Sequence, residues 1–284
     1  MKFLQSVGNE MPSAIIADIG CGNGKYLKVL PQNVYGIGID FSENLIDIVQ
    51  RRKLEGLVGD ALVAPFGDDS FDAVISIAVL HHISTQCRRL EAIKELIRIC
   101  KSYDPQSNVC GRILICAWAL EQEDDSKHQF DKEDVFVPWA LDKKYVTPQF
   151  WEKLNQNENE NINSQTKECP SDQSNNNNTA LPSMALIEDP LKNVITFQRY
   201  CHVYRKGELE HLLQTVAHVV NFPSDPNSHK LPKQFRVEVL RSFFNKGNWC
   251  VEIRKLDVIK KKKKKAQILK KIFDSKFLAI KHKC

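Results

Sequence analysis

The chain has 284 residues, 42% hydrophobic and 26% charged, a globular composition that suits one α/β domain carrying insertions. No apolar run reaches the roughly 20 residues of a membrane-spanning helix, and Met1 to Glu10 lacks the pattern of a secretory signal. The expected setting is therefore cytoplasmic or nuclear, with no membrane partner, and the net charge of +5 is a tail property: residues 254–284 hold 13 Lys or Arg against two Asp, leaving the first 253 at −6.

Short β-branched runs alternate with helix-like segments at the start of the chain: residues 14–19, 34–40, 56–60, 71–80 and 111–118. That rhythm predicts a parallel sheet, and the nearly continuous apolar runs predict strands covered by helices on both faces. Ser42 is placed to cap a helix over residues 42–52, and Leu90, Ile93, Leu96, Ile97 and Cys100 share one face of a helix over 88–101. Residues 155–182 turn to Asn, Gln, Glu and Ser, with four consecutive Asn at 175–178, and read as a disordered polar insertion. Order is expected again near Met184 to Val203, then a helix over 207–216 with Leu209, Leu212 and Leu213 inward, and a last strand over 248–253. The division is thus a core over 1–154, the insertion over 155–182, the remainder of the same domain over 183–256 and a basic tail over 257–284.

Nine cysteines are scattered without a Cys-x-x-Cys pair, so neither a zinc site nor a disulfide framework is expected, and reduced structural thiols are. The string Asp18-Ile-Gly-Cys-Gly-Asn-Gly24 follows the first strand and is expected to open a helix, with glycines that let backbone approach a ligand. Alone it fits a dinucleotide turn or a plain loop equally well. Asp40 ends the second strand, where a carboxylate accepts from ribose hydroxyls, and Asp60 ends the third, where it accepts from an adenine amino group. With no phosphate-binding lysine string, the pattern favours a single nucleoside such as S-adenosyl-L-methionine over NAD or ATP.

In this order, the segments DIGCGNGKY (18–26), GIDFS (38–42), GDALVAPFGDDSFDAVISIAVLHHIST (59–85), DVFVPW (134–139), FQRYCHVYRKGEL (197–209) and KGNWCVEIRK (246–255) resemble the eukaryotic tRNA (carboxymethyluridine-34) methyltransferases. The resemblance implies a Rossmann-like class I methyltransferase, with a mostly parallel seven-stranded sheet and helices on both faces. It implies cofactor contacts from Asp18, Gly20, Gly22, Asp40, Asp60, Ala61, Ile77 and Ala78, and methylation of the carboxylate of 5-carboxymethyluridine at wobble position 34. His81, His82, Arg199, His202 and Arg205 are candidates to clamp that carboxylate or a neighbouring phosphate. Trp139, Tyr200, Asn248 and Trp249 are candidates for the splayed nucleotide, although composition alone favours a core position for each tryptophan. No metal is expected at the site. Implied partners are the tRNA anticodon loop and a small zinc-binding activator subunit, a heterodimer formed at the sheet edge near Gly56 to Val58.

Departures from the family pattern are Cys201 where a second aromatic is usual, Asn245 where an acid is common, and an irregular loop over 101–109. Ahead of the first strand stand only Met1 to Pro12, where the family carries a longer helical stretch with basic and Trp-Pro residues. Two rival readings stay open: a lipid or quinone methyltransferase with a closed apolar pocket, and a non-catalytic tRNA-binding scaffold.

Overall fold

The computed structural model describes residues 2–103, 111–126, 128–142, 187–189, 194–219 and 235–257. The polar insertion expected over 155–182 and the lysine run of the tail lie outside these residues, as does most of the loop over 101–109. In chain order the elements are α1 (Lys2–Glu10), β1 (Ile15–Ile19), β2 (Tyr35–Asp40), α2 (Glu43–Arg51), β3 (Glu55–Val58), β4 (Ala73–Ile77), α3 (Gln86–Ile99), β5 (Arg112–Trp118), β6 (Asp134–Asp142), β7 (Ile187–Asp189), β8 (Val194–His202), α4 (Glu208–Val219), β9 (Phe235–Phe244) and β10 (Asn248–Asp257).

The main sheet has seven strands in the order β3-β2-β1-β4-β5-β10-β9. The first five run parallel, and β10 alone runs against its neighbours β5 and β9. Successive side chains of a strand point to opposite faces, and both faces here are apolar. Ala17, Ile19, Val74, Ile113, Ile115, Val251 and Ile253 meet α3 and α4, whose Ile93, Leu96, Ile97, Leu209, Leu212 and Leu213 are buried against them. Their alternates, Ile16, Ala73, Ile75, Leu114, Cys116 and Cys250, meet Phe3, Leu4 and Val7 of α1. The expected fold class is the one observed, down to Ser42 accepting the Leu45 N–H at the start of α2.

Several elements differ from expectation. The residues ahead of β1, for which no element was predicted, form α1, and Arg112 ties it down through Glu10 at 2.9 Å and Ser6 at 2.8 Å. The glycine string leads into a short 3-10 turn, Leu27–Val29, because Pro31 follows and disfavours helix in the residue before it. The run over 71–80 stops as a strand at Ile77, and a 3-10 turn, Leu80–His82, follows. β6, β8 and β7 form a separate three-stranded antiparallel sheet. Tyr204 N–H donates to Trp118 O and Leu120 N–H to Tyr204 O, both at 2.8 Å, which joins the end of β8 to the exit of β5. Cys87 is disulfide-bonded, against the expectation of reduced thiols throughout, while Cys21, Cys100, Cys116, Cys201 and Cys250 are free and buried.

Candidate active site

The carboxyl ends of β1, β2 and β4, with the turn after β3, converge on one crevice, the place where open parallel sheets bind ligands. Gly20 and Cys21 both donate to Ile39 O at 2.8 Å, so the loop after β1 folds over the end of β2. Gly20 has φ +79°, and a Cβ there would sit 2.3 Å from Val79 Cγ2; only glycine fits between this turn and the β4 exit. Asp40 fixes the same loop from below, its two oxygens accepting from the N–H groups of Gly22 and Ser42 at 2.9 Å each. Space above Gly22 is open for at least 4 Å.

Asp18 is 1% exposed, and its Oδ2 has no hydrogen-bond partner. Burial, with Asp40 adding like charge, raises its pKa to about 7. A buried carboxylate oxygen without a donor, at the mouth of a ligand crevice, fits a site made for a cation or a hydrogen-bond donor. Asp60 Oδ1 accepts the Leu62 N–H at 2.9 Å, which shapes the turn carrying Ala61. Ala78 has φ +64°, rare for a residue with a side chain, and is held by its N–H to Cys116 O at 2.8 Å. Ile77 lies half-buried beside it. All eight sequence-derived cofactor positions therefore stand on the loops and strand ends around this crevice.

Beyond Ala78 the chain enters the turn bearing the two histidines. His81 is 1% exposed and stacks on Trp118, with ring centroids 4.6 Å apart and planes at 17°. Its Nδ1 accepts the Trp118 N–H at 3.3 Å, so Nε2 keeps the ring proton and is a donor. Burial first, then the neighbouring His82 and Arg199 charges, holds His81 well below the usual histidine range. His82 is exposed, yet desolvation of its inner side and the nearby Arg199 lower its pKa to about 4, while a hydrogen bond to the Tyr200 backbone and then the Asp40 charge act in the opposite direction. Both rings are therefore neutral at pH 7, and the positive charge of this cluster belongs to Arg199, whose Cζ lies 5.9 Å from the Trp118 ring centre.

His81, His82 and Cys201 bring potential ligand atoms within 4.8 Å of one another, with Cys201 Sγ 3.7 Å from His82 Nδ1. A metal at this position would have to displace the Nε2 proton of His81 while Nδ1 goes on accepting from the backbone. That would leave an imidazolate, so a hydrogen-bonding cluster fits the arrangement better than a metal site.

The other candidates are placed differently. His202 is sandwiched, Nδ1 on Asp134 at 2.9 Å and Nε2 on Glu208 at 2.7 Å. Burial opposes its charge, but the two carboxylates outweigh burial and raise its pKa, so both ring nitrogens are occupied by protein. Tyr200 donates to Asp134 and also reaches Ser84 O at 3.2 Å. Arg205 is exposed and paired with Glu133. Trp139 is 47% exposed on the strand pair that carries Arg199, its ring 5.7 Å from Phe197. Trp249 donates Nε1–H to Glu121 at 2.8 Å, and Asn248 Nδ2 donates to Lys246 O at 2.7 Å, holding the turn between β9 and β10. The structure thus gathers His81, His82 and Arg199; Tyr200 and His202 buttress them, and Arg205, Asn248 and Trp249 lie at the periphery.

Comparison with known proteins decides the family. A methyltransferase-domain family model matches residues 17–103. The Schizosaccharomyces pombe tRNA (carboxymethyluridine(34)-5-O)-methyltransferase is 35% identical over 218 residues, covering 75% of this chain and 76% of that protein. The chain belongs to this family. A human relative, the probable tRNA methyltransferase 9B, is 46% identical over 138 residues, 49% of this chain. The chain spans 27% of that relative's length and 40% of a macaque family member's. Among solved structures, an S-adenosylmethionine-dependent methyltransferase from Clostridium acetobutylicum shares the fold, with TM-score 0.53, 10% identity and coverage of 90% of this chain and 89% of that one.

Around the histidine turn, sequence reasoning passed over Trp118 and Arg89. Trp118 had the signal of a large ring at a strand end on the crevice side. Arg89 had none: it looks like one more helix charge, yet it is 7% exposed and donates to Ile83 O and Ser84 O, both at 3.1 Å, bracing the histidine turn.

Proposed function

We propose that the chain transfers a methyl group from S-adenosyl-L-methionine to the carboxylate of 5-carboxymethyluridine at wobble position 34 of tRNA, forming the methyl ester. The observation that carries this reading is the junction of two half-sites. An acid-lined glycine crevice at Asp18, Asp40 and Asp60 opens, across Ala78, onto a neutral His81–His82 pair beside the cationic Arg199. Asp18 offers an acceptor to the methionine ammonium, Asp40 to the ribose and Asp60 to the adenine amino group, while Gly20, Gly22, Ala61, Ile77 and Ala78 supply close backbone. The bound cofactor supplies an electrophilic methyl on a sulfonium.

A carboxylate with an ordinary pKa of about 4 is already ionised at neutral pH and needs no general base. Neutral histidines suit that demand, because a strongly cationic pair would bury the nucleophile in ion pairs. Arg199 attracts the anion, His81 orients it by Nε2–H donation with His82 packed beside it, and His202 and Tyr200 position β8. Holding acceptor and methyl in line can lower the barrier by roughly 7–11 kcal/mol. Trp139 stands on the rim, where an unstacked base would arrive.

The tRNA anticodon loop is the proposed RNA partner. The proposed protein partner is a small zinc-binding activator joined to the outer edge of β3, where Leu57 and Val58 are 46% and 52% exposed. Cytoplasm or nucleus is the proposed location, and Arg205 and the terminal lysines are proposed phosphate contacts.

The test is labelled-methyl transfer to tRNA from cells lacking this gene, with and without co-expressed activator, read by nucleoside mass spectrometry. The ester is expected in the activator complex and lost in Asp40→Ala. A complex that binds cofactor yet makes no ester on this tRNA overturns the proposal.

A further inference from the structure

We propose that the cleft between the exit of β5 and the β9–β10 turn is a second subsite, which receives an unstacked RNA base neighbouring the acceptor nucleotide. This rests on the tRNA reading above and adds a site to it. The cleft is lined by Trp118, Gln122, His128, Phe130, Lys246 and Asn248.

Ring geometry points to a flat ligand. Trp118 and His128 lie 5.7 Å apart at 25°, and His128 and Phe130 lie 6.1 Å apart at 8°. His81 joins the same series at 17° to Trp118. Trp118 and Phe130 also lie 6.1 Å apart at 26°, so the three rings are mutually near-parallel and form one aromatic face, which His81 extends toward the histidine turn. An unstacked base lies flat on such a face, whatever its identity, because every base has a π-face.

The wall is rigid. Gln122 Nε2 donates to Ala119 O at 2.6 Å and Gly247 O at 3.0 Å, and its Oε1 accepts from Ser126 Oγ at 3.0 Å. A Cβ on Gly247, at φ +70°, would lie 2.4 Å from Gln122 Oε1, so glycine lets the turn close onto this amide. Charge sets the ligand's direction. Lys246, exposed and at φ +49°, lines the cleft, and exposed Glu123, Asp124 and Asp125 follow Gln122 in the chain. A phosphate is repelled by those acids and drawn to Lys246, so the nucleotide's backbone is held at Lys246 while its base meets the rings.

The experiment uses the chain with its activator and an anticodon stem-loop RNA carrying 2-aminopurine on either side of the wobble uridine. Fluorescence reports stacking, and titration gives affinity without methyl transfer. His128→Ala combined with Lys246→Ala is expected to abolish quenching at one of the two positions and to weaken RNA binding about tenfold, the scale of one lost stacked base. Cofactor affinity should not change. Unaltered quenching and affinity in the double variant would overturn the subsite and leave the methyl-transfer reading standing. A complex that binds and quenches the RNA in a cleft-dependent way but forms no ester would do the reverse.

Discussion

Asp18 shows how one buried carboxyl makes the fold's stability depend on pH. Its folded pKa, about 7, lies above the ordinary 3.8, so it favours the protonated form, and its contribution to stability is greatest below pH 4 and fades as pH rises toward 7. Asp18→Asn removes that dependence. The ligand-free variant should melt several degrees higher than wild type at pH 7.5 and about equally at pH 4, by scanning calorimetry, while binding cofactor at least about tenfold more weakly, the scale of one lost charge-assisted hydrogen bond. Arg199 is the second decisive residue. Its charge depresses His82, so Arg199→Ala should move the His82 midpoint upward from about 4, read from the ring-proton NMR titration. The same variant should lower kcat/KM about 100-fold, as expected for removing one electrostatic anchor of a reacting anion. A His82 midpoint that stays in place would detach Arg199 from the histidine pair. Asp18, Asp40 and the histidine pair were legible as residues, because strand ends and glycine strings mark crevices. Their protonation states were not, since desolvation and the Arg199 field arise only when β4 and β8 are brought together.

At the scale of elements, α1 is joined to the sheet by charge as well as by apolar packing. Arg112, 7% exposed, donates Nε–H to Glu252, itself 2% exposed, at 2.8 Å and reaches Glu10 of α1 at 2.9 Å. Removing one partner of a buried pair typically costs about 3–5 kcal/mol, and less here because Glu252 keeps Arg241 as a half-exposed second partner. Arg112→Ala should lose no more than the lower end of that range in urea unfolding, and Arg112→Leu with Glu252→Leu should recover most of it; equal losses in both would show that packing, not charge, is at stake. The same scale explains the histidine turn, which Arg89 braces from α3 and the Tyr200 hydroxyl from β8. β6 and β8 escaped prediction as strands because they read as motifs: Trp139, Arg199 and Tyr200 drew attention as chemistry, and the alternation of Val135, Val137, Phe197 and Cys201 beneath them passed unread.

For the whole molecule, the sheet leaves β3 at one edge with Leu57 and Val58 exposed, a surface that an added strand would cover. Leu57→Lys with Val58→Lys should abolish co-purification of the activator while the isolated chain keeps its melting temperature; undiminished capture would place the partner elsewhere. The sequence by itself determined the alternating strand and helix plan, the glycine turn after β1, the cap at Ser42 and the family motifs, because each is a local pattern of a few neighbouring residues. Tertiary structure alone decided that α1 closes one face, that His202 is locked between Asp134 and Glu208, that Trp249 leans on Glu121, and that Trp118 packs between His81 and His128. Those relations link residues far apart in the chain, where charge, burial and ring stacking depend on a meeting that no local pattern encodes.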